Sequence, residues 1–298
     1  MLPDNTTVAY PNEEWNSWNA SDPTMDPATH FIKVAANRLG PDGNFYVLDN
    51  GYTDTYGPKL VSFNLTTNEL ANTWLLENMT TSGSQWDDFR FNGDMVYFTD
   101  LSAAIGILDL TTGSTRRVLE NDISTTSYFP MSAVGNLMSL DGSYSFTNSD
   151  QLEVSADGTY FYYQPCNGNL WRIATSLLDA ALYNDTAADA LSANAEPYAP
   201  TPSTGGTAID ADGTVYSSDA NRNAILRIFS NGTMDTLVQD DRLLWVDAMW
   251  VDSQNRLWMP ATQLFLGSTW NDGVDAYKPP FNVFTIDIGV GPSPLDHA

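Results

Sequence analysis

Residues 34–64 read Val34-Ala35-Ala36-Asn37-Arg38-Leu39, Gly40-Pro41-Asp42-Gly43, Asn44, Phe45-Tyr46-Val47-Leu48-Asp49, a loop, then Lys59-Leu60-Val61-Ser62-Phe63-Asn64. Three apolar stretches of strand length are joined by a tight turn and a loop. Asp42-Gly43 supplies the positive φ that a two-residue hairpin needs. The flanks are β-branched and aromatic, as strands prefer. This is one β-meander, and its order recurs. A second copy turns at Asn92-Gly93 and continues through 95–100 and 105–109. A third runs 152–155, Asp157-Gly158, 160–163 and 169–173. A fourth runs 207–209, Asp212-Gly213, 215–219 and 224–228, and a fifth runs 248–251, Ser253-Gln254-Asn255, 257–259 and 281–286.

Turns about 40 to 65 residues apart match the blades of a propeller and not the strands of a sandwich. The expected fold is all-β: one six-bladed β-propeller domain over residues 1–298, with five blades as the fallback. The sixth blade would be assembled from the N-terminal stretch and the last strands. Two stretches interrupt the repeat. Residues 123–148 form a long insertion with its own hairpin signal at Asp141-Gly142, and residues 174–196, rich in Ala and Leu, are expected to carry one short helical insertion.

Charge narrows the partners. Against 12 Lys and Arg stand 37 Asp and Glu, a formal charge of −25. Nucleic acid binding needs clustered basic residues, so it is excluded, and an anionic membrane surface is excluded for the same reason. The apolar runs fall far short of the roughly 18 residues of a spanning helix. With 9 Trp, 14 Tyr and 13 Phe the chain is not disordered. The expected partner is a small-molecule substrate, and the expected assembly is a monomer or a weak homodimer. Cys166 is the single cysteine, which excludes an internal disulfide and a cysteine-based metal cluster. Six Asn-x-Ser/Thr sequons, at Asn5, Asn19, Asn64, Asn78, Asn184 and Asn231, favour a secreted glycoprotein. Met1-Leu2-Pro3-Asp4 has neither a basic nor an apolar run, so secretion implies a signal peptide already removed.

Topology locates a candidate site. The innermost strand of each blade lines the central channel and starts at one mouth. The loop after the second strand lies at the same mouth. Inner-strand starts supply Asn37, Arg38, Asp87, Asp88, Asp150, Gln151, Thr204 and Asp247, with Trp86, Arg90, Trp245 and Met249 beside them. Loops and insertions supply Tyr56, Tyr128, Phe129, Phe265 and Trp270. Carboxylates, a few arginines and many aromatics suit a flat, partly apolar organic molecule with polar handles. Each aromatic also fits plain inter-blade packing, and each carboxylate also fits a cap on backbone N–H groups.

Several chemistries drop out. His30 and His297 are the only histidines, and no Gly-x-Ser-x-Gly elbow occurs. Cys166 has no evident histidine partner, and zinc would find too few ligands. No metal and no cofactor is expected. A structural Ca²⁺ on Asp87, Asp88, Asp150 and Asp247 stays open.

With the blades aligned, the chain resembles the major royal jelly protein/Yellow family. The residues that carry the resemblance are Asn44-Phe45-Tyr46-Val47-Leu48-Asp49-Asn50-Gly51, residues 96–101 with 106–117, residues 152–158 with 170–178, and Leu243-Leu244-Trp245-Val246-Asp247-Ala248-Met249-Trp250-Val251-Asp252. It lacks the cysteines of the insect members and looks more like the microbial, fungal secreted branch. The resemblance implies several functions. Insect members include small-amine binders and tautomerases of quinoid compounds. The fungal branch includes hetero-Diels–Alderase-like enzymes that join a tropolone-type quinone methide to a terpene alkene. The more distant gluconolactonases hold a divalent metal on a Glu, an Asn and an Asp at inner-strand starts. Here only Asp247 falls at such a position.

Three readings follow. One is a cofactor-free cyclase or isomerase acting on a conjugated, oxygenated ring. It would align two π-systems and polarise a carbonyl, with Arg38 or Arg90 on the oxygen and Asp87 or Asp88 holding a hydroxyl. The others are a metal-dependent lactonase and a non-catalytic small-molecule binder.

Overall fold

In the computed structural model, which describes residues 6–52 and 55–296, each meander becomes an antiparallel sheet. Blade 1 comprises Val34–Leu39, Phe45–Asp49, Lys59–Phe63 and Leu70–Leu75. Blade 2 comprises Trp86–Asn92, Met95–Asp100, Ala104–Asp109 and Thr115–Val118. Blade 3 comprises Ser149–Val154, Tyr160–Pro165, Leu170–Ala174 and Glu196–Ala199. Blade 4 comprises Thr207–Ile209, Val215–Asp219, Ala224–Ile228 and Met234–Gln239. Blade 5 has three strands, Trp250–Val251, Arg256–Ala261 and Asn282–Asp287. Gly43, Gly93, Gly158 and Gly213 close the inner hairpins of blades 1 to 4 with positive φ. Blade 5 has no glycine there, and Asn255 takes the left-handed conformation instead, at φ 62°.

Apolar side chains between successive sheets hold the blades together. Tyr46, Leu48 and Leu60 of blade 1 pack on Trp86, Phe89 and Phe98 of blade 2. Tyr97 and Ile105 meet Leu152, Phe161 and Tyr163 of blade 3. Tyr162 and Leu170 meet Ile209, Val215 and Ile228 of blade 4. Tyr216 and Ile225 meet Met249, Leu257 and Met259 of blade 5.

The fold is therefore a five-bladed propeller, the fallback count, and the expected sixth blade does not form. Residues 6–33 carry no strand among the described residues, only a 3-10 turn at Pro27–Thr29. Prolines and Asn/Asp turn formers break up this stretch, and no alternating apolar run survives. Its Tyr10, Trp15 and Phe31 instead cover Val47, Val61 and Phe63 of blade 1. The last strand is already the third strand of blade 5.

The two interruptions fold locally. Within 123–148 lie two small hairpins, Ser132–Ala133 with Asn136–Leu137 and Ser139–Leu140 with Ser143–Tyr144. The second turns at Asp141 and Gly142, both at positive φ. Residues 174–196 carry helices Thr175–Tyr183 and Asp185–Asp189, the two α-helices among the described residues. The first buries Leu178, Ala181 and Leu182 between blades 2 and 3. Among the described residues, no helix is long and apolar enough to cross a membrane.

Candidate active site

In a regular strand, alternate side chains face one side. Here consecutive residues of two inner strands face the channel together. The pairing of blade 2 shifts register between Trp86 and Phe89, and that of blade 3 between Ser149 and Gln151. Such bulges re-aim side chains. As a result Asp87 and Asp88, and likewise Asp150 and Gln151, all line one cavity of about 420 Å³ at the channel mouth. Blade 5 approaches closely because blade 4 opens with Gly205-Gly206. A Cβ at Gly206 would stand 2.7 Å from the backbone N of Ala248, and one at Gly205 would stand 2.6 Å from Trp245 Nε1. The two glycines thus let Asp247 and Trp245 into the site.

The upper part of the cavity is acidic. Asp150 hydrogen-bonds to Asp87, and Gln151 Nε2 donates to Asp150 Oδ2 at 2.8 Å. Burial, with the charges of Asp88 and Asp247, pushes Asp87 up to about 7. Burial and the Asp87 charge push Asp150 well above the usual carboxylate range. Burial raises Asp247 to about 6, although the N–H of Ala248 donates to it at 3.0 Å. Two hydrogen-bonded carboxyls such as Asp87 and Asp150 titrate as a pair and not as independent groups. Burial also raises the Cys166 thiol, which donates to the Thr204 carbonyl at 3.0 Å. Gln151 Oε1 is buried and has no hydrogen-bond partner in the protein.

Below lies a layer of ion pairs. Arg90 donates to Glu153 through Nε at 2.9 Å and Nη2 at 3.1 Å, and to Asp88 through Nη1 at 2.5 Å. Arg38 donates to the same Asp88 oxygen at 3.1 Å and to Asp296 Oδ1 at 2.8 Å. Thr207 Oγ1 donates to Glu153 Oε1 at 2.8 Å. Burial works against the Asp88 anion, but Arg38 and Arg90 prevail and hold its carboxyl well below the usual range. Apolar walls complete the cavity: Leu101, Met131, Phe146, Trp245, Met249, Leu264 and Trp270.

Of the residues expected at the site, Arg38, Asp87, Asp88, Arg90, Gln151, Trp245, Asp247, Met249 and Trp270 line this cavity. Arg38 is not at a strand start as expected. It is the fifth residue of a strand that already begins at Val34. Both arginines are ion-paired to carboxylates, although Arg38 Nε keeps an N–H with no partner in the protein.

The remaining expected residues lie elsewhere. Asn37 is exposed on its strand, and Tyr56 meets Trp18 edge-on at 4.9 Å. Trp86 is fully buried between blades 1 and 2, with Nε1 donating to Thr80 Oγ1. The Thr204 hydroxyl bonds to the Gly206 carbonyl, and only its own carbonyl serves the site, accepting from Gln151. Tyr128 and Phe129 are exposed and line a separate open groove with Ile123, Asn167 and Trp171. Phe265 packs into a small cluster with Met131 and Trp245, outside the cavity lining.

Sequence reasoning missed Gly205, Gly206 and Thr207, although the glycine pair before an inner strand was a usable signal. It also left Asp150 outside the catalytic set. Among the described residues, no three His, Cys, Asp or Glu side chains are grouped to hold a metal ion. Asn19, Asn64, Asn78, Asn184 and Asn231 are exposed. Asn5 and His297 lie outside the described residues.

Fold and site together define a β-propeller with a partly acidic, aromatic-walled cavity at its channel mouth. Residues 42–271 match the major royal jelly protein family, and the chain belongs to that family. Among curated proteins no sequence match is found. Among solved structures, a luciferin-regenerating enzyme is similar at TM-score 0.55 and 13% identity, covering 90% of this chain and 82% of that one. Virginiamycin B lyase from Staphylococcus aureus is similar at TM-score 0.53 and 12% identity, covering 92% and 74%. A gluconolactonase from Xanthomonas campestris gives TM-score 0.48 and 15% identity, covering 76% and 68%. At these identities the likeness is one of fold.

Proposed function

We propose that the protein is a cofactor-free enzyme acting on a conjugated, oxygenated small molecule, with the Asp87–Asp150 pair as its proton donor. The observation that carries this reading is the hydrogen-bonded carboxyl pair in an aromatic-walled cavity, where burial raises both members above the usual carboxylate range. A neutral carboxyl can donate to a ligand carbonyl, and its ionised partner can take a proton back, which is the requirement of a tautomerisation. Donation alone polarises a quinone methide oxygen. With Trp245 and Trp270 aligning a second π-system, the finer reading is a hetero-Diels–Alder cyclisation of a tropolone-type quinone methide with a terpene alkene, as in the fungal branch of the family. The exposed sequons support a secreted protein.

The test is product formation, followed by mass spectrometry, from a quinone methide precursor with a terpene alkene and from a quinoid ring alone. Asp87→Asn and Asp150→Asn should each lose about 100-fold in turnover, the lower range of general acid contributions. Folded variants with wild-type turnover would overturn the assignment. Affinity without turnover in the wild type would mark a binder.

A further inference from the structure

After Asp287 the chain crosses beneath the ring. The Ile288 N–H donates to the Asn255 carbonyl in the base hairpin of blade 5, and the Ala211 N–H in the base hairpin of blade 4 donates to the Gly291 carbonyl. Pro292 bridges to Asp210. Ser293 is fully buried, and Leu295 packs on the cluster that contains Leu152 and Val154 of the blade 3 inner strand. The Asp296 N–H turns back on the Ser293 carbonyl, and its carboxylate meets Arg38 at 2.8 Å and Arg90 Nε at 3.7 Å. The segment thus enters the channel from the end opposite the mouth.

We propose that residues 288–296 are the built-in floor of the site, and that Asp296 is a positioning residue that holds Arg38 and Arg90 beneath the Asp87–Asp150 pair. The inference rests on the proton-donating reading of that pair, but its physical content is separate. Arg38 touches two carboxylates, Asp88 and Asp296, and loses half of its pairing without the tail. The guanidinium charges would then act less compensated on the carboxyls above.

The groups facing the pair are Asp88 and Arg90 on the same inner strand, Gln151 on that of blade 3, and Asp247 and Cys166 from flanking loops, with Glu153 on Arg90 below. Arg38 and Asp296 stand below. Removing one negative charge from this set favours the ionised carboxyls, so their titration moves to lower pH.

The experiment is a carbon NMR titration of isotope-labelled aspartate in the full chain, with Asp87 and Asp150 assigned through their Asn variants. It needs no substrate. Asp296→Asn should lower the midpoint of the pair by about one pH unit, the scale of one nearby charge in a partly buried setting. Asp296→Glu should restore it. Leu295→Ala, which loosens the packing and keeps the charge, should leave it in place. A folded Asp296→Asn variant with an unmoved midpoint overturns the proposal, as does a Leu295→Ala shift equal to that of Asp296→Asn. Should Asp296→Asn fail to fold, the smaller Asp296→Ser is read in the same way. Absence of any turnover would sink the functional reading and leave this titration standing.

Discussion

Replacing Asp87 by Asn tests the acidic layer through stability alone. Asn keeps the shape and carries no charge. In the folded protein Asp87 titrates near 7, against 3.8 for an ordinary aspartate. That gap of about three pH units, at about 1.4 kcal/mol per unit, sets a ceiling of about 4 kcal/mol. Sharing of the proton with Asp150 and partial opening to the cavity reduce it, so about 2 kcal/mol is expected. Below pH 4 the carboxyl is protonated in both states and contributes nothing. Between about pH 4 and 7 the unfolded chain releases a proton that the folded one still holds, so wild-type stability falls as pH rises. Above 7 the penalty is constant. The variant lacks it, and it also relieves Asp150. Urea denaturation of both proteins from pH 4 to 8 should show a difference near zero at the acid end that grows in favour of the variant to a plateau. Carboxylates paired elsewhere cancel in the difference. A flat difference curve, or a variant less stable at pH 8, would refute the reasoning.

Other outcomes follow from the same geometry. Arg90→Ala strands Glu153 as a buried charge, leaves Asp88 on Arg38 alone, and should cost about 3–5 kcal/mol in urea denaturation. Gly206→Ala drives a Cβ into the backbone at Ala248 and Asp247 and should lower stability by about 1–3 kcal/mol, while Gly83→Ala, at an exposed glycine with open space around its Cβ, should not. Expressed behind a signal peptide in a eukaryotic host, the chain should lose mass on glycosidase treatment, and an unchanged mass would remove the case for secretion.

Much of the fold was legible because each hairpin carries a turn dictated by local chemistry. Asp42-Gly43 and its counterparts demand left-handed backbone, and that demand is visible in sequence. The blade count was less legible. The N-terminal stretch was available to build a sixth blade in number of residues, but its prolines and asparagines gave it no strand, and Trp15 and Phe31 found a face of blade 1 to cover. In the site, topology was enough to bring Asp87, Asp88, Gln151 and Asp247 to one cavity. It could not tell that Trp86 turns into the core while Trp245 turns into the cavity. Both precede or open inner strands, and only the bulge at Asp87 and the positive φ of Trp245 separate them. Nor could it see the Asp296 contact, made between residues 258 positions apart in sequence.

Asp87 and Asp88 are neighbours in sequence with opposite fates. One shares a layer with Asp150 and Asp247, where burial and neighbouring charge raise it to about 7. The other sits on two guanidinium groups that hold it well below the usual carboxylate range. The bulge between Trp86 and Phe89 makes this possible, because without it one of the two would face away from the channel. A site that needs an acid near neutral pH must keep its arginines from charging the layer above them. Asp88, Glu153 and Asp296 do that here by absorbing Arg38 and Arg90 into pairs. On the proposed function, the ion pairs would act on the chemistry indirectly. They hold the floor together, and by holding their own charges in balance they leave burial and mutual repulsion to set the protonation of Asp87 and Asp150.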